Sequence, residues 1–521
     1  MNYRDKLILS IDAGTQSIRA MLFDLDGNPV EKVKTPIEPY FSERPGWAEQ
    51  DPEYYWKILC ETTRKLLHGT SVPRGGIAGV TLTTQRGTVI NVDKKGNPLR
   101  PAITWLDQRK AAVENWPSGL LRTVMRAAGV LDPVEYVIKE SEANWIRQNQ
   151  PEIWKNTYKY LLLSGFFFHR LTGKFIESTG GNVGYLPFDY KKQRWLSDGN
   201  IKWKIFPMDR EMLPELHAPS EVVGKITAKA SEKTGIPAGL PVVTAASDKA
   251  CEMLGSGCLT PDIACLSYGT TATVETTTQK YVEIIPMFPP YPSAVPGAYN
   301  TEVQIFRGFW MVSWFRKEFG LKEELLASER EVEPEELFDE MIKSVPPGSM
   351  GLVLQPYWMA GVRVPGPEAK GAIIGFGDVH TRAHVYRAIL EGLAYALKEG
   401  LMRTEKKNGV RVKELRISGG GSQSEVAMQI TADVFNLPAH RPHTYETSAL
   451  GAAINAAVGL GLHPDFKTAV ARMTHTGTTF NPIPENAVIY SELFENVYMK
   501  MYPGLRDIYK NIRKITGYPA F

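Results

Sequence analysis

The sequence predicts an α/β protein built as two related lobes, and three observations carry that prediction. Strand-like and helix-like segments alternate along the chain. A unit of apolar strand, Gly-Thr turn and second strand occurs twice, at residues 7–25 and again at 263–277. A stretch containing Gly, Ser and Pro, Gly255 to Pro261, lies between the halves. With 521 residues and 43% hydrophobic content the chain exceeds what one core needs. The expected division is 1–257 and 258–521.

The first unit reads as a strand from Leu7 to Ile11, the turn Asp12-Ala13-Gly14-Thr15, a strand from Ile18 to Leu25 and a third from Glu31 to Ile37. Ile77 to Thr83 and Val89 to Val92 are further strand-like runs. Val242 to Ala246 is apolar and β-branched, and Asp248 opens a helical stretch. The second unit is the strand Ile263 to Ser267, the turn Gly269-Thr270-Thr271 and the strand Ala272 to Thr277. Leu352 to Gln355 reads as a strand. Arg382 to Thr404 places apolar residues at helical spacing. Leu415 to Ser418 is a strand, Gly419-Gly420-Gly421 a loop and Glu425 to Phe435 a helix. A final helical segment, Tyr490 to Thr516, is expected to pack on the second lobe.

Composition excludes several classes. Lys and Arg number 60 against 57 Asp and Glu, spread without a dense basic tract, which argues against a nucleic-acid partner. The apolar run from Leu7 meets Asp12 too soon for a signal peptide. Leu161 to Phe168 is far shorter than the roughly 20 apolar residues a membrane helix needs. No membrane is expected, and the chain reads as cytoplasmic. Cys60, Cys251, Cys258 and Cys265 have neither a disulfide-framework nor a zinc-ligand spacing and are expected to be small buried residues. A homodimer is the default oligomer.

No P-loop and no G-x-G-x-x-G fingerprint is present. What stands at the first strand end is Asp12, Gly14, Thr15, Gln16, Ser17 and Arg19. Gly14 lets backbone N–H groups approach an anion, and the Thr15 and Ser17 hydroxyls add donors. Asp12 would repel a phosphate, so it makes sense facing a Mg²⁺. One such turn alone reads more readily as an ordinary hairpin. Its recurrence at Gly269, Thr270 and Thr271 favours two facing anion nests that clamp a polyphosphate. Gly420 and Gly421, at a helix start, offer bare backbone to a flat base and ribose; tight βα packing is the alternative. Asp248, at a strand-to-helix junction, suits a general base, with a helix N-cap as the equal alternative.

These residues together resemble the FGGY carbohydrate kinases. The resemblance spans nearly the whole chain, including Asp12 to Arg19, Gln85-Arg86, Ala102 to Arg109, Ser247 to Gly257, Gly269 to Thr271, Gln355 to Pro365, Gly371 to Leu397 and Gly419 to Gly461. It implies two ribonuclease-H-like lobes of the actin/hexokinase superfold with a central ATP cleft. It implies ATP with Mg²⁺ and phosphorylation of a terminal hydroxyl on a small sugar or polyol. By this resemblance Asp12 is the metal-linked aspartate and Asp248 the catalytic base. Gly14, Thr15, Gln16, Ser17, Arg19, Gly269, Thr270, Thr271, Gly420, Gly421 and Ser424 meet ATP. Gln85, Arg86, Trp105 and Asp107, with Asp248, line the acceptor pocket.

The acceptor itself departs from the family patterns. Gly87 and Lys249 stand where glycerol kinases carry Glu and Gln. Thr84-Gln85-Arg86 replaces the Gln-Met-His of xylulokinases and gluconokinases, and Gly361-Val362-Arg363 replaces their Gly-Glu-Arg. A ketopentose such as xylulose is the single best reading, with tetritol, glycerol, aldonate or an autoinducer-2-like compound as alternatives. An ATP-binding switch of the same superfold is the competing class. Arg86, Trp105 and Asp107 stand against it, since a hydrolase would not need them.

Overall fold

The computed structural model describes residues 6–69, 74–114, 116–361 and 365–518; Val362 and Arg363 of the acceptor motif lie outside them. Two large mixed sheets organise the chain. The first holds β1 (Leu7–Ala13), β2 (Ser17–Phe23), β3 (Pro29–Pro36), β4 (Ile77–Thr84), β5 (Val222–Lys225) and β6 (Pro241–Ser247), in the order β5-β6-β4-β1-β2-β3. Helix α1 (Pro52–Gly69) links β3 to β4, and α2 (Asp248–Gly255) follows β6. The second holds β7 (Ile263–Tyr268), β8 (Ala272–Thr278), β9 (Tyr291–Pro292), β10 (Tyr299–Ile305), β11 (Glu414–Ser418), β12 (Ala439–Pro442) and β13 (Thr476–Phe480). Their order is β9-β10-β8-β7-β11-β12-β13, with α3 (Arg382–Asn408), α4 (Glu425–Phe435) and α5 (Thr447–Gly459) inserted at the connections.

The duplication read from the two Gly-Thr turns extends to topology. In each sheet a hairpin (β1–β2, β7–β8) pairs antiparallel, a third strand extends it, and two parallel strands flank its other side. Helix α1 packs on β2 and β3 as α3 packs on β8 and β10. The central strands are buried along their length, which suits a sheet with both faces covered. The edge strand β3 instead alternates its exposure and carries Glu31, Lys32 and Lys34, charges that discourage edge pairing.

Elements from the second half of the chain pack on the first sheet. Helix α5, from the second half of the chain, packs on β1, β4 and β6 of the first sheet and crosses α2 closely. The crossing is possible because both helices present glycine there: a Cβ on Gly255 would stand 2.0 Å from the Thr447 carbonyl oxygen. Ala449, Ala452, Ala453 and Ala456 join Ala245, Cys251 and Leu254 in the core between the lobes.

The final helical segment is two helices, Pro484–Leu493 and Met499–Thr516, joined by a wider turn. Tyr490, Phe494, Tyr498 and Met501 enter the core of the second lobe, as expected from the sequence. All four cysteines are buried and free. Among the described residues no helix is long and apolar enough to cross a membrane.

Candidate active site

The inner ends of β1, β4 and β6, the start of α2 and the ends of β7 and β11 converge between the lobes. Asp248 is the first residue of α2, at the end of β6. Ser247, with extended backbone, holds the N-cap position, so Asp248 is not the cap. Its carboxylate accepts the Lys249 backbone N–H at 2.8 Å. Burial raises its pKa above the ordinary carboxylate value, while Arg86 and Lys249 pull it back. A carboxylate tuned upward in a cleft suits proton abstraction.

Asp12 belongs to strand β1 rather than to the turn, and lies directly across the hairpin from Arg19. Arg19 Nη1 donates to Asp12 Oδ2 at 2.8 Å, and Glu446 lies 3.5 Å from Arg19 Nε. Arg19 therefore neutralises Asp12 through one of its guanidinium nitrogens. The cause is register: opposite charges in a cross-strand pair attract at short range. Burial pushes Asp12 up to about 6, with Arg19 opposing and Asp248 adding to the rise. Among the described residues no three His, Cys, Asp or Glu side chains gather into a metal site. One buried carboxylate with a second in electrostatic reach still fits Mg²⁺, which binds through one or two carboxylates and keeps water and phosphate as its other ligands.

The first Gly-Thr turn has part of its bonding capacity met by neighbours. The Gly14 N–H is spent within the turn, on the Ser17 carbonyl at 3.1 Å. Thr15 Oγ1 donates to Gln85 Oε1 at 3.0 Å and accepts from Trp105 Nε1 at 3.1 Å. Its hydroxyl is thus drawn toward the acceptor-pocket residues by the adjacent end of β4, where the Gln85 N–H meets the Ala13 carbonyl. Gln85 Nε2 continues the chain to the Tyr55 hydroxyl at 3.3 Å. Gln16 is exposed at the tip, and Ser17 is buried as the first residue of β2.

In the second turn Thr270 is exposed, and the Gly269 and Thr270 carbonyls accept the Phe309 and Trp310 N–H groups. Thr271 Oγ1 donates to the Phe306 carbonyl at 3.3 Å. The three glycines divide by role. Gly419 has φ +84° and passes close to the Tyr268 backbone, and a Cβ on Gly421 would stand 2.3 Å from the Phe309 ring. Only Gly420 faces open space: a Cβ there would meet nothing within 4 Å. Packing thus explains two of the glycines, and the third is left bare. Ser424 caps α4 by accepting the Ala427 N–H at 3.0 Å.

On the acceptor side Asp107 holds its own turn together. Its carboxylate accepts four N–H groups: Ala48 N, Arg109 N, Arg109 Nε and Arg109 Nη2. It braces the turn that carries Trp105, whose indole is 44% exposed beside Thr15. Arg86, expected in the acceptor pocket, grips Glu302 across the lobes with both terminal nitrogens, at 2.9 and 3.3 Å. Its guanidinium also lies over the Tyr291 ring, 4.9 Å from the centroid.

Several residues here were not picked out from the sequence. Glu302, Tyr291 and Glu275 come from β10, β9 and β8 of the second lobe. Lys249 Nζ donates to Glu252 Oε2 at 2.8 Å and to Ser267 Oγ. Ser267 and Ser418 both donate to Glu252 Oε1, tying α2 to β7 and β11. Burial pushes Glu252 up, yet Lys249 and the two hydroxyls hold it below its ordinary value. A charge such as Glu252, Glu275 or Glu302 within an otherwise apolar or Thr-rich element was the available signal.

Comparison with known proteins gives the family. The N-terminal domain model of the FGGY family of carbohydrate kinases matches residues 7–255, and the C-terminal domain model of that family matches 264–460. A protein of Escherichia coli K12 described as "uncharacterized sugar kinase YgcE" is 33% identical over 496 residues, 95% of this chain and 92% of that one. A xylulose kinase of Lactococcus lactis is 27% identical over 523 residues, covering 96% of this chain and 97% of the other. The crystal structure of Plasmodium falciparum glycerol kinase with ADP shares the fold at a TM-score of 0.76 and 20% identity, over 95% of this chain and 98% of that one. The chain belongs to the FGGY family of carbohydrate kinases, phosphotransferases with the two-lobed actin/hexokinase-like fold.

Proposed function

We propose that the chain transfers the terminal phosphoryl group of ATP to a terminal hydroxyl of a small sugar or polyol, with a ketopentose such as xylulose as the first acceptor to test. The observation that carries this reading is Asp248, a half-buried carboxylate with raised pKa, within electrostatic reach of both Asp12 and Arg86. It stands between the nucleotide side and the acceptor side. In this reading residues 1–257 supply the acceptor pocket and base, and 258–521 supply the adenosine shelf.

Asp248 takes the proton of the acceptor hydroxyl, and that oxygen forms a bond to the γ-phosphorus as the bond to the ADP oxygen breaks. Trp105 offers a flat apolar wall to acceptor C–H groups. Thr15 and Gln85 hold that wall against the first turn, so acceptor and phosphate sites share one rigid unit. Mg²⁺ held through Asp12 supplies charge neutralisation of the phosphates when bound. The Gly420 backbone receives the adenosine, and Thr270 is exposed in the second turn.

ADP release measured over ketopentoses, tetritols, aldonates and glycerol, beside an acceptor-free control, tests the reading. One acceptor is expected to stimulate ADP release many-fold; equal rates with and without every acceptor sink it. Gly420→Val tests the shelf. A Cβ at this position meets nothing within 4 Å, so the melting temperature is expected to hold, while ATP affinity falls at least about tenfold, or 1.4 kcal/mol. Unchanged ATP affinity removes Gly420 from the nucleotide site.

A further inference from the structure

Arg86 and Glu302 are 216 residues apart and belong to different lobes, yet they form one of the most enclosed ion pairs in the cleft, with side chains 19% and 6% exposed. The two terminal nitrogens meet the two carboxylate oxygens, a planar fork-to-fork arrangement. One flat face of the guanidinium is covered by Tyr291. The part of Arg86 that would grip an acceptor carboxylate is therefore already filled by a carboxylate of the protein.

The neighbouring charges point the same way. Glu275 sits directly opposite Glu302 in the β8–β10 register. Like charges so paired repel, and burial with Glu302 beside it holds Glu275 above the ordinary carboxylate range. Its Oε1 accepts the Thr273 hydroxyl at 2.8 Å. The second cation of the region, Lys249, is matched by Glu252. Both cations near Asp248 thus have a carboxylate partner, and a negatively charged acceptor would meet Glu302 on β10 and Glu252 on α2 rather than an unmatched cation.

We propose that Glu302 is a positioning and specificity-determining residue: it holds the Arg86 fork from the opposite lobe and so restricts the site to acceptors without negative charge. The proposal rests on the kinase reading above. Glu302 belongs to the second lobe, so the lobe that binds nucleotide also sets the charge the acceptor site accepts. An uncharged sugar or polyol adds no charge beside Glu302; an aldonate adds one.

The test compares kcat/KM for uncharged acceptors (ketopentoses, tetritols, glycerol) and for aldonates, in wild type, Glu302→Gln and Glu302→Asp. Wild type is expected to use an uncharged acceptor and to be poorly inhibited by aldonates competing with it. Glu302→Gln is expected to lower kcat/KM for the uncharged acceptor about 10- to 100-fold and to narrow the preference over aldonates by a similar factor. Glu302→Asp keeps the charge and is expected to lose rate while keeping the preference. A purely structural role would lower all acceptors together, and an unchanged preference ratio in Glu302→Gln overturns the proposal. If that variant does not fold, wild type still decides: tight competitive inhibition by an aldonate, or an aldonate as the best acceptor, overturns it. An aldonate-only enzyme leaves the kinase reading standing and this one refuted, whereas no acceptor at all refutes both.

Discussion

Asp248→Asn is expected to lower phosphoryl transfer by about 10²- to 10⁴-fold while the variant still binds ATP. The substitution keeps the shape and the bond from the Lys249 N–H, because the Asn side-chain oxygen can accept it. What it removes is the ability to take a proton. A helix cap would be largely spared by this change, since Asn caps as well as Asp, and Ser247 holds that position in any case. The measurement is single-turnover ADP formation at saturating acceptor together with ATP affinity. Retained full activity would show that the proton leaves by another route. The pH profile gives an independent check. Burial raises the Asp248 pKa, and the base is active only when ionised. Activity is therefore lost as pH falls through the raised value, and the acidic limb of kcat/KM lies above the range of an exposed aspartate. Asp248→Asn removes that limb along with the rate.

Gly451→Ala is expected to destabilise the protein by about 3 kcal/mol or more and to lower kcat as well. A Cβ at Gly451 would stand 1.9 Å from the Cys251 carbonyl oxygen, and the reciprocal contact at Gly255 is equally short. Both neighbours are helix backbone, which cannot swing aside as a side-chain tip would. The only relief is to separate α5 from α2, opening the alanine-rich core between the lobes. Because α2 starts at Asp248, the same separation displaces the base, and a shift of about 1 Å is enough to matter to transfer. Chemical denaturation and melting temperature read the first effect, steady-state kinetics the second. Gly504→Ala is the control: it lies in the last helix with nothing within 4 Å, and is expected to be neutral or stabilising by up to about 1 kcal/mol. Equal behaviour of the two variants would refute the account of the crossing.

Most of the strands were legible because each is a short run of β-branched and apolar residues, such as Leu7 to Ile11 or Val242 to Ala246. The strand-to-helix step at Asp248 and the glycine loop before α4 were legible for the same local reason. Boundaries moved where long-range pairing extended an element. Asp12 joined β1 because its neighbours pair with both β2 and β4, not because of its own β propensity.

The side chains of the candidate site show the opposite case. Arg19, Thr15 and Asp107 are the residue types the resemblance implies, and each also bonds a neighbour in the fold. Residue type tells which hydrogen bonds a side chain can make, while three-dimensional proximity decides which are already made.

Two lobes, a repeated Gly-Thr hairpin and a carboxylate at the start of a helix follow from local pattern in the chain, since strand, turn and helix signals are written within a few residues. The repeated turns that first suggested a duplication proved to head two sheets of matching order. The partner of Arg86, the glycine crossing of α2 and α5, and the α5 contact with the first sheet came from folding alone. Each joins residues hundreds of positions apart, where no local periodicity or spacing records the contact.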